Sequence, residues 1–129
     1  MEAFAMSFLV FRAYCRLIQF DLYLARGNFK ALYEKVRACP IRTSMPSVTA
    51  VEQICAAVDL ACIWYWKEVL CLQRSAATVC LLKSHGVPAQ MILGAQQMPL
   101  KAHAWVVVGE QVVNDKPYVS EMFAVLDRY

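Results

Sequence analysis

Charge is scarce in this sequence, and the charges that it has are scattered. Charged residues make up 18% of the chain and hydrophobic residues 60%, whereas soluble domains usually contain about 25% and 45–50%. The formal net charge of +3 comes without a cluster of lysines or arginines, so the composition argues against nucleic-acid binding. We expect 129 residues of this composition to fold as one domain and to leave apolar surface for a partner.

Long uncharged runs are also missing near the N-terminus. The longest one there is Ala3–Phe11, far short of the roughly 20 residues that a bilayer-spanning helix needs. Glu2 stands where a secretory signal would carry basic residues, and no small-residue cleavage site follows cleanly. We therefore expect a cytoplasmic protein. Peripheral contact with a membrane surface stays open but is not implied.

The six cysteines include no C-x-x-C pair, which argues against a structural zinc site. Cys55 and Cys62 lie in one helical pattern, and Cys80 lies within an apolar helical pattern. Because unpaired cysteines are often buried in this way, we expect free thiols and no disulfide framework.

Hydrophobic periodicity predicts a helical N-terminal half followed by short strands. The predicted helices cover 4–25 and 29–38, a third helix then runs into 63–66, and a fourth covers 71–84. They are followed by a strand over 87–93, a turn-like stretch over 94–101 and a hairpin with strands at 103–108 and 111–114. A short helix is predicted over 121–126. This order indicates an α+β fold with a small antiparallel sheet. We expect a single domain over 1–129, with a helical N-terminal extension at 1–46 and a catalytic core at 47–118.

The first helix is predicted to be amphipathic. Its expected core-facing stripe consists of Phe8, Phe11, Cys15, Ile18 and Leu22, which recur at steps of three and four residues. Arg12, Arg16 and Asp21 are spaced to lie off that stripe. The alternative is that surplus aromatic residues of this helix dock a partner protein: Phe4, Phe8, Phe11 and Tyr14. Core packing is the favoured interpretation.

A thiol, an imidazole and a carboxylate follow one another along the second half of the chain. Cys71 begins the fourth predicted helix, His103 lies in a strand, and Asp115 follows the next strand. Unpaired N–H groups and the positive end of the dipole at a helix start favour a thiolate and an oxyanion. His103 would be the base and Asp115 would orient it. The other histidine, His85, is explained by its place at a helix C-terminus.

The hairpin geometry constrains this triad. A strict two-residue turn at Gly109-Glu110 pairs residue 104 with 115 and sends Asp115 to the face opposite His103. The triad therefore predicts an irregular hairpin. Asn114 is the alternative orienting residue if the hairpin is regular.

Four further residues are candidates for substrate or oxyanion contacts. Arg74 and Ser75 follow Cys71 in the first helical turn, with Ser75 on the same face. Trp105 lies two residues beyond His103 on the same strand face, where it could shield the imidazole. The indole N–H of Trp66 is an additional candidate oxyanion donor. A metal site built from the triad residues lacks familiar ligand spacing, so we expect neither a metal nor a cofactor.

Four motifs together resemble a known family. Cys-Leu-Gln-Arg-Ser at 71–75, Ser-His-Gly-Val-Pro-Ala at 84–89, Lys-Ala-His-Ala-Trp-Val at 101–106 and Val-Val-Asn-Asp at 112–115 are similar to the transglutaminase-like leader peptidases of lasso-peptide biosynthesis. The likeness is to the split form, which lacks a fused leader-recognition domain, and the motifs span roughly 64–118. One departure is Gly109-Glu110, where members often carry an Asp-Gly type of pair.

The resemblance implies a papain-like or transglutaminase-like fold and a Cys-His-Asp triad at Cys71, His103 and Asp115. It implies a ribosomal precursor peptide as substrate, cut between leader and core. It also implies a separate leader-binding protein, and an ATP-dependent cyclase that receives the product. Two alternatives stay open, namely acyl transfer to an amine by the same thioester chemistry and a non-catalytic peptide-binding module.

Overall fold

A computed structural model describes residues 2–42, 48–97 and 100–129. Its elements, in chain order, are α1 (Glu2–Ala25), α2 (Phe29–Ala38), α3 (Val48–Trp64), α4 (Cys71–Ser84), β1 (Ala89–Gln97), β2 (Leu100–Val108), β3 (Gln111–Val112), α5 (Val119–Met122) and β4 (Ala124–Arg128). The strands form one sheet in the order β3-β2-β1-β4, and every neighbouring pair is antiparallel. The predicted α+β class is confirmed. No helix within the described ranges is long and apolar enough to cross a membrane.

Helix α4 is the centre of the fold. It packs against α1, α2 and α3 as well as against β1 and β2, and ten of its residues are buried. Small side chains at Ala76 and Ala77, which are fully buried, let neighbouring backbones approach the helix closely. A helix surrounded in this way holds its first residue, Cys71, in a fixed place relative to the sheet.

The sheet is longer than the sequence predicted. The stretch 94–101, expected as a turn, continues both strands, with Gly94 opposite His103 and Gln97 opposite Leu100. Residues 98 and 99 lie outside the described part of the chain. The predicted helix at 121–126 is also wrong, since α5 ends at Met122 and β4 follows it to pair with β1. The edge of β1 gives this segment backbone partners that its own sequence does not reveal.

The predicted core stripe of α1 faces outward. Ala13, Leu17 and Phe20 are fully buried, whereas Phe11 is 65% exposed and Phe8 is 56% exposed. The helix therefore carries two apolar faces, and the face of Ala13, Leu17 and Phe20 is the one that packs on α3 and α4. The side chain of Phe4 lies outside the description.

Asp21 lies off the predicted stripe, as expected, but it is buried, because that stripe faces outward. Its carboxylate accepts hydrogen bonds from Tyr65 Oη at 2.6 Å and from Lys67 Nζ at 2.7 Å. These partners offset the cost of removing a carboxylate from water.

A disulfide joins Cys39, directly after α2, to Cys80 in the middle of α4, so the expectation of a free thiol at Cys80 is wrong. The Cα atoms are 5.8 Å apart, a separation typical of bridged cysteines. The two positions lie 41 residues apart in sequence, and only the packing of α2 on α4 brings them together. Cys15, Cys55, Cys62 and Cys71 are free.

Candidate active site

The candidate nucleophile occupies the first residue of α4. The preceding residue, Leu70, has extended backbone angles and provides no side-chain cap. The first helical hydrogen bond runs from Arg74 N–H to Leu70 O at 2.9 Å, so the N–H groups ahead of Arg74 precede the regular helical bonding pattern. These N–H groups and the positive end of the helix dipole favour a negative charge at this end of α4. Cys71 itself is half-buried.

His103 and Asp115 are in direct contact. His103 Nε2 lies 2.5 Å from Asp115 Oδ2, and each side chain is 23% exposed. Asp115 Oδ1 also accepts from the Lys116 N–H at 2.7 Å. Burial by itself would raise the pKa of Asp115, but the hydrogen bonds from His103 and Lys116 outweigh burial and lower that pKa. The carboxylate is therefore ionised and engages Nε2 of the imidazole, so Nδ1 is the ring nitrogen that Asp115 does not bind.

The hairpin reaches this contact by a route that was not expected. Its turn is a regular two-residue one, because Val108 pairs with Gln111 and Gly109 has a φ of +65°. However, β3 ends at Val112 and the chain then bends. The bend turns Asp115 back to the face that holds His103. The predicted irregular hairpin is therefore wrong, because the turn is regular and Asp115 reaches His103 through the bend after β3.

The side-chain amide of Asn114 bonds Val106 and Ser75 and forms no hydrogen bond with His103 among the described residues. Its Oδ1 accepts from the Val106 N–H at 2.8 Å, and its Nδ2 donates to Ser75 Oγ at 3.2 Å. Ser75 Oγ in turn donates to Ala104 O at 3.1 Å. This chain of bonds joins α4, β2 and the loop that carries Asp115, so that three elements position the site together.

The same network indicates how Cys71 is oriented. Ser75 lies one helical turn after Cys71 on the same face of α4, and it bonds the residue next to His103. Cys71 is therefore on the side of α4 that faces β2. The hydrogen bonds of the described residues include His103 with Asp115 and do not include His103 with Cys71.

Two aromatic rings pack against the imidazole of His103. The His103 ring stacks on Phe123 at 5.2 Å and on Trp105 at 6.0 Å between centroids. Trp105 is 1% exposed and Phe123 7%. Opposite His103, Gly94 leaves room for this packing, because a Cβ there would lie 2.7 Å from two Trp105 ring atoms. Neither Phe123 nor Gly94 could be chosen from the sequence, because Phe123 lies in the tail after Pro117, which has no clear pattern, and Gly94 lies in the predicted turn.

The remaining candidates, Ser75, Arg74 and Trp66, differ in their exposure to solvent. Ser75 is buried, and its hydroxyl is occupied by protein atoms. Arg74 is partly exposed and donates to Asp59 Oδ1 at 2.6 Å and to Asn114 O at 3.3 Å. Trp66 is 71% exposed with Lys67 Nζ 4.8 Å from its ring centroid. Arg74 therefore holds the Asp115 loop against α3, and Trp66 faces solvent.

The segment that leads into Cys71 is anchored from α1. Tyr65 and Lys67 bind the buried carboxylate of Asp21, and Gln73 Nε2 donates to Leu17 O at 2.8 Å. Burial raises the pKa of Asp21, but the hydrogen bonds from Lys67 and Tyr65 prevail and lower it. Burial, together with the neighbouring carboxylate, raises the pKa of Tyr65 to about 12. This cluster was missed because a lone aspartate on an apolar helix reads as a surface residue.

Comparison with known proteins identifies the class to which this fold and site belong. A family model described as the transglutaminase-like superfamily matches residues 15–128, and the chain therefore belongs to that superfamily. The chain is also 36% identical over 56 residues to the microcin J25-processing protein McjB of Escherichia coli. The aligned part is 43% of this chain and 27% of that relative. No solved structure matched the chain.

Proposed function

We propose that this protein is a cysteine endopeptidase that removes the leader from a ribosomally made lasso-peptide precursor. The observation that carries the proposal is the direct bond between His103 and Asp115. Asp115 lies in a loop whose preceding residue, Asn114, is bonded by Arg74 and Ser75 from the first turn of α4, the helix of the candidate nucleophile. Membership of the transglutaminase-like superfamily and the likeness to a protein named for microcin processing support it.

In the proposed reaction, Cys71 Sγ attacks the carbonyl carbon of the scissile peptide bond while His103 Nδ1 takes the thiol proton. His103 then gives that proton to the leaving amine, and a thioester to Cys71 remains. Water attacks the thioester with His103 as the base, which frees the carboxylate product and regenerates the thiol. Asp115 keeps the imidazole in one tautomer and stabilises its charged form.

The N–H groups at the start of α4 would hold the oxyanion in both tetrahedral intermediates. Such donors act without rearrangement, because the helix fixes them before substrate arrives, and each is worth roughly a hundredfold or more in rate. Trp66 stands close in sequence but faces solvent. It is the weaker candidate for this role.

We infer the partners from the resemblance of the motifs. A separate leader-binding protein presents the precursor, and an ATP-dependent cyclase takes the freed core peptide. Exposed apolar residues around the approach to Cys71 suit contact with a peptide or a partner: Ile63, Trp64, Trp66 and Leu70. The proposed compartment is the cytoplasm.

The test is a cleavage assay on the precursor peptide together with the leader-binding protein. Wild type is expected to give a single cut at the leader–core boundary by mass spectrometry, and Cys71→Ala and His103→Ala to give none. Cys62→Ala is the matched control, because Cys62 is another half-buried free thiol in the neighbouring helix, and it should cut normally.

Three outcomes would count against the proposal. Cleavage by Cys71→Ala would exclude the thiol mechanism. Binding of the precursor by all variants without cleavage by wild type would indicate a peptide-binding module. Transfer of the acyl group to an added amine in preference to water would indicate an acyl transferase.

A further inference from the structure

The outward face of α1 carries exposed apolar residues from Phe8 to Leu22. Phe11 is 65% exposed, Phe8 and Leu22 are each 56% exposed, and Ile18 is 41% exposed. Cys15, between them, is also exposed. The opposite face of the helix already packs the core through Ala13, Leu17 and Phe20. The fold of the described chain therefore does not use this outer face.

The spacing of the exposed residues is that of a coiled-coil seam. Phe8, Cys15 and Leu22 occupy one position of a heptad, and Phe11, Ile18 and Ala25 occupy the other. Two positions in seven make a narrow stripe, which matches the width of one facing helix. A helix that lies on a bilayer presents a broader apolar face. The seam thus fits a helix better than a membrane.

The charged flanking residues that are not buried are positive. On one side the flanking residues are Arg12, Gln19 and Arg26, and on the other they are Ser7, Tyr14 and Asp21. The Asp21 carboxylate is buried and bound to Tyr65 and Lys67, so it offers nothing to a partner. Arg12 contacts Ser84 Oγ at 3.1 Å through one nitrogen and His85 Nε2 at 3.5 Å through another, and a guanidinium has five N–H groups, so some remain to donate.

The charges beside the seam indicate whether it binds a second copy of this chain or a different protein. Residues that flank a seam pair across it and select the partner. Two copies of α1 would bring arginines to arginines or to uncharged residues, with no carboxylate to meet them. We propose that the outer face of α1, from Phe8 to Leu22, docks an amphipathic helix of another protein whose apolar seam is flanked by glutamate or aspartate. This proposal does not rest on the peptidase reaction.

Synthetic helices test this directly with the full chain. The probe is a labelled peptide of about three heptads with isoleucine and leucine at the seam and glutamate at the flanks. A matched peptide carries lysine at the same flanks. Fluorescence anisotropy is expected to show saturable binding of the glutamate peptide, and binding of the lysine peptide at least about tenfold weaker.

Two variants locate the surface. Phe11→Asp with Ile18→Asp should weaken binding of the glutamate peptide at least about tenfold, while Leu126→Asp, at a residue of β4 that is 66% exposed, should leave it unchanged. Circular dichroism checks that both variants fold. In wild type, the glutamate peptide should slow alkylation of Cys15 by iodoacetamide, read by peptide mapping.

Other results of these experiments would contradict the docking proposal. Failure to bind the glutamate peptide, or equal binding of the two peptides, would overturn the proposal. So would self-association of wild type in sedimentation equilibrium that the seam variant abolishes, which would indicate a second copy. Binding to phosphatidylglycerol vesicles that the same variant abolishes, without peptide binding, would indicate a membrane surface.

Discussion

At the scale of single residues, the carboxylate of Asp115 has two different donors on its two oxygens. One oxygen faces His103 and the other accepts from the backbone of Lys116, so the side chain cannot rotate without losing a bond. This fixation matters because an imidazole held by an ionised partner keeps the tautomer that a base needs. Cys71, His103 and Asp115 could be chosen from the sequence because residue type and order suffice to suggest them.

Asp115→Asn should lower kcat/KM of precursor cleavage at least about a hundredfold, because the neutral amide stabilises the imidazolium poorly and permits the wrong tautomer. The loss should appear in kcat more than in KM, measured by timed mass spectrometry. Asp127→Asn is the control, since Asp127 is an exposed carboxylate on β4 that also approaches an arginine. Equal activity of Asp115→Asn and wild type would remove Asp115 from the mechanism.

Asp21→Asn should destabilise the fold by about 1–3 kcal/mol near neutral pH, since it weakens buried hydrogen bonds from Lys67 and Tyr65. The pKa of Asp21 is lowered in the folded protein. Its contribution is therefore complete above the unfolded value of about 4 and is lost as the pH falls through the lowered folded value.

Urea unfolding of wild type and Asp21→Asn at a series of pH values measures this difference. It should be largest at neutral pH and should shrink below about pH 4. A difference that stays constant down to pH 3 would contradict the assignment of Asp21 as an ionised partner. Tyr65→Phe, which keeps the Lys67 contact, should show a smaller loss.

At the scale of elements, the sequence predicted the helices well and their orientation poorly. Periodicity marked α1 as a helix, but it could not tell which of two apolar faces would be buried. Phe8 and Phe11 are larger than Ala13, and the size of the residues favoured the wrong face. The deciding factor is close packing against α3 and α4, which small residues permit and which no local pattern encodes.

Strand β1 depends on one small residue. Gly94→Ala places a Cβ 2.7 Å from Trp105 ring atoms and 2.9 Å from Phe123 Cβ, and these rings are buried and cannot move freely. We expect a loss of stability of about 1–3 kcal/mol from overpacking, together with lower activity because the rings support His103.

Trp105→Phe provides the internal check for this prediction. It removes the two indole atoms nearest the new methyl group. The double variant should therefore lose less stability than the sum of the losses of the two single variants. Strictly additive losses in urea unfolding would contradict the proposed clash.

At the scale of the whole molecule, contacts between distant segments were the least predictable. Tyr129 exchanges two backbone hydrogen bonds of 2.8 Å with Met91, and β4 pairs with β1, although the tail had no strand pattern of its own. The Cys39–Cys80 disulfide is a second case. Both depend on the complete path of the chain, which the local pattern of a single sequence does not disclose.

Reduction of the disulfide should lower the free energy of unfolding by up to about 4 kcal/mol, from the entropy of closing a loop of this length. Urea unfolding with and without dithiothreitol measures the change, and Cys39→Ala with Cys80→Ala should be insensitive to the reductant. Alkylation of all six cysteines in denatured, unreduced protein would show that the bond had not formed.

The stacking of His103 on Trp105 also makes the fluorescence of this tryptophan sensitive to the charge of the imidazole. A protonated imidazole against an indole quenches its emission, and a neutral one does so much less. The other two tryptophans, Trp64 and Trp66, are 75% and 71% exposed and can be changed to phenylalanine at little cost. In that variant the emission of Trp105 alone would report the charge of His103, the proposed base, without substrate, partner or label.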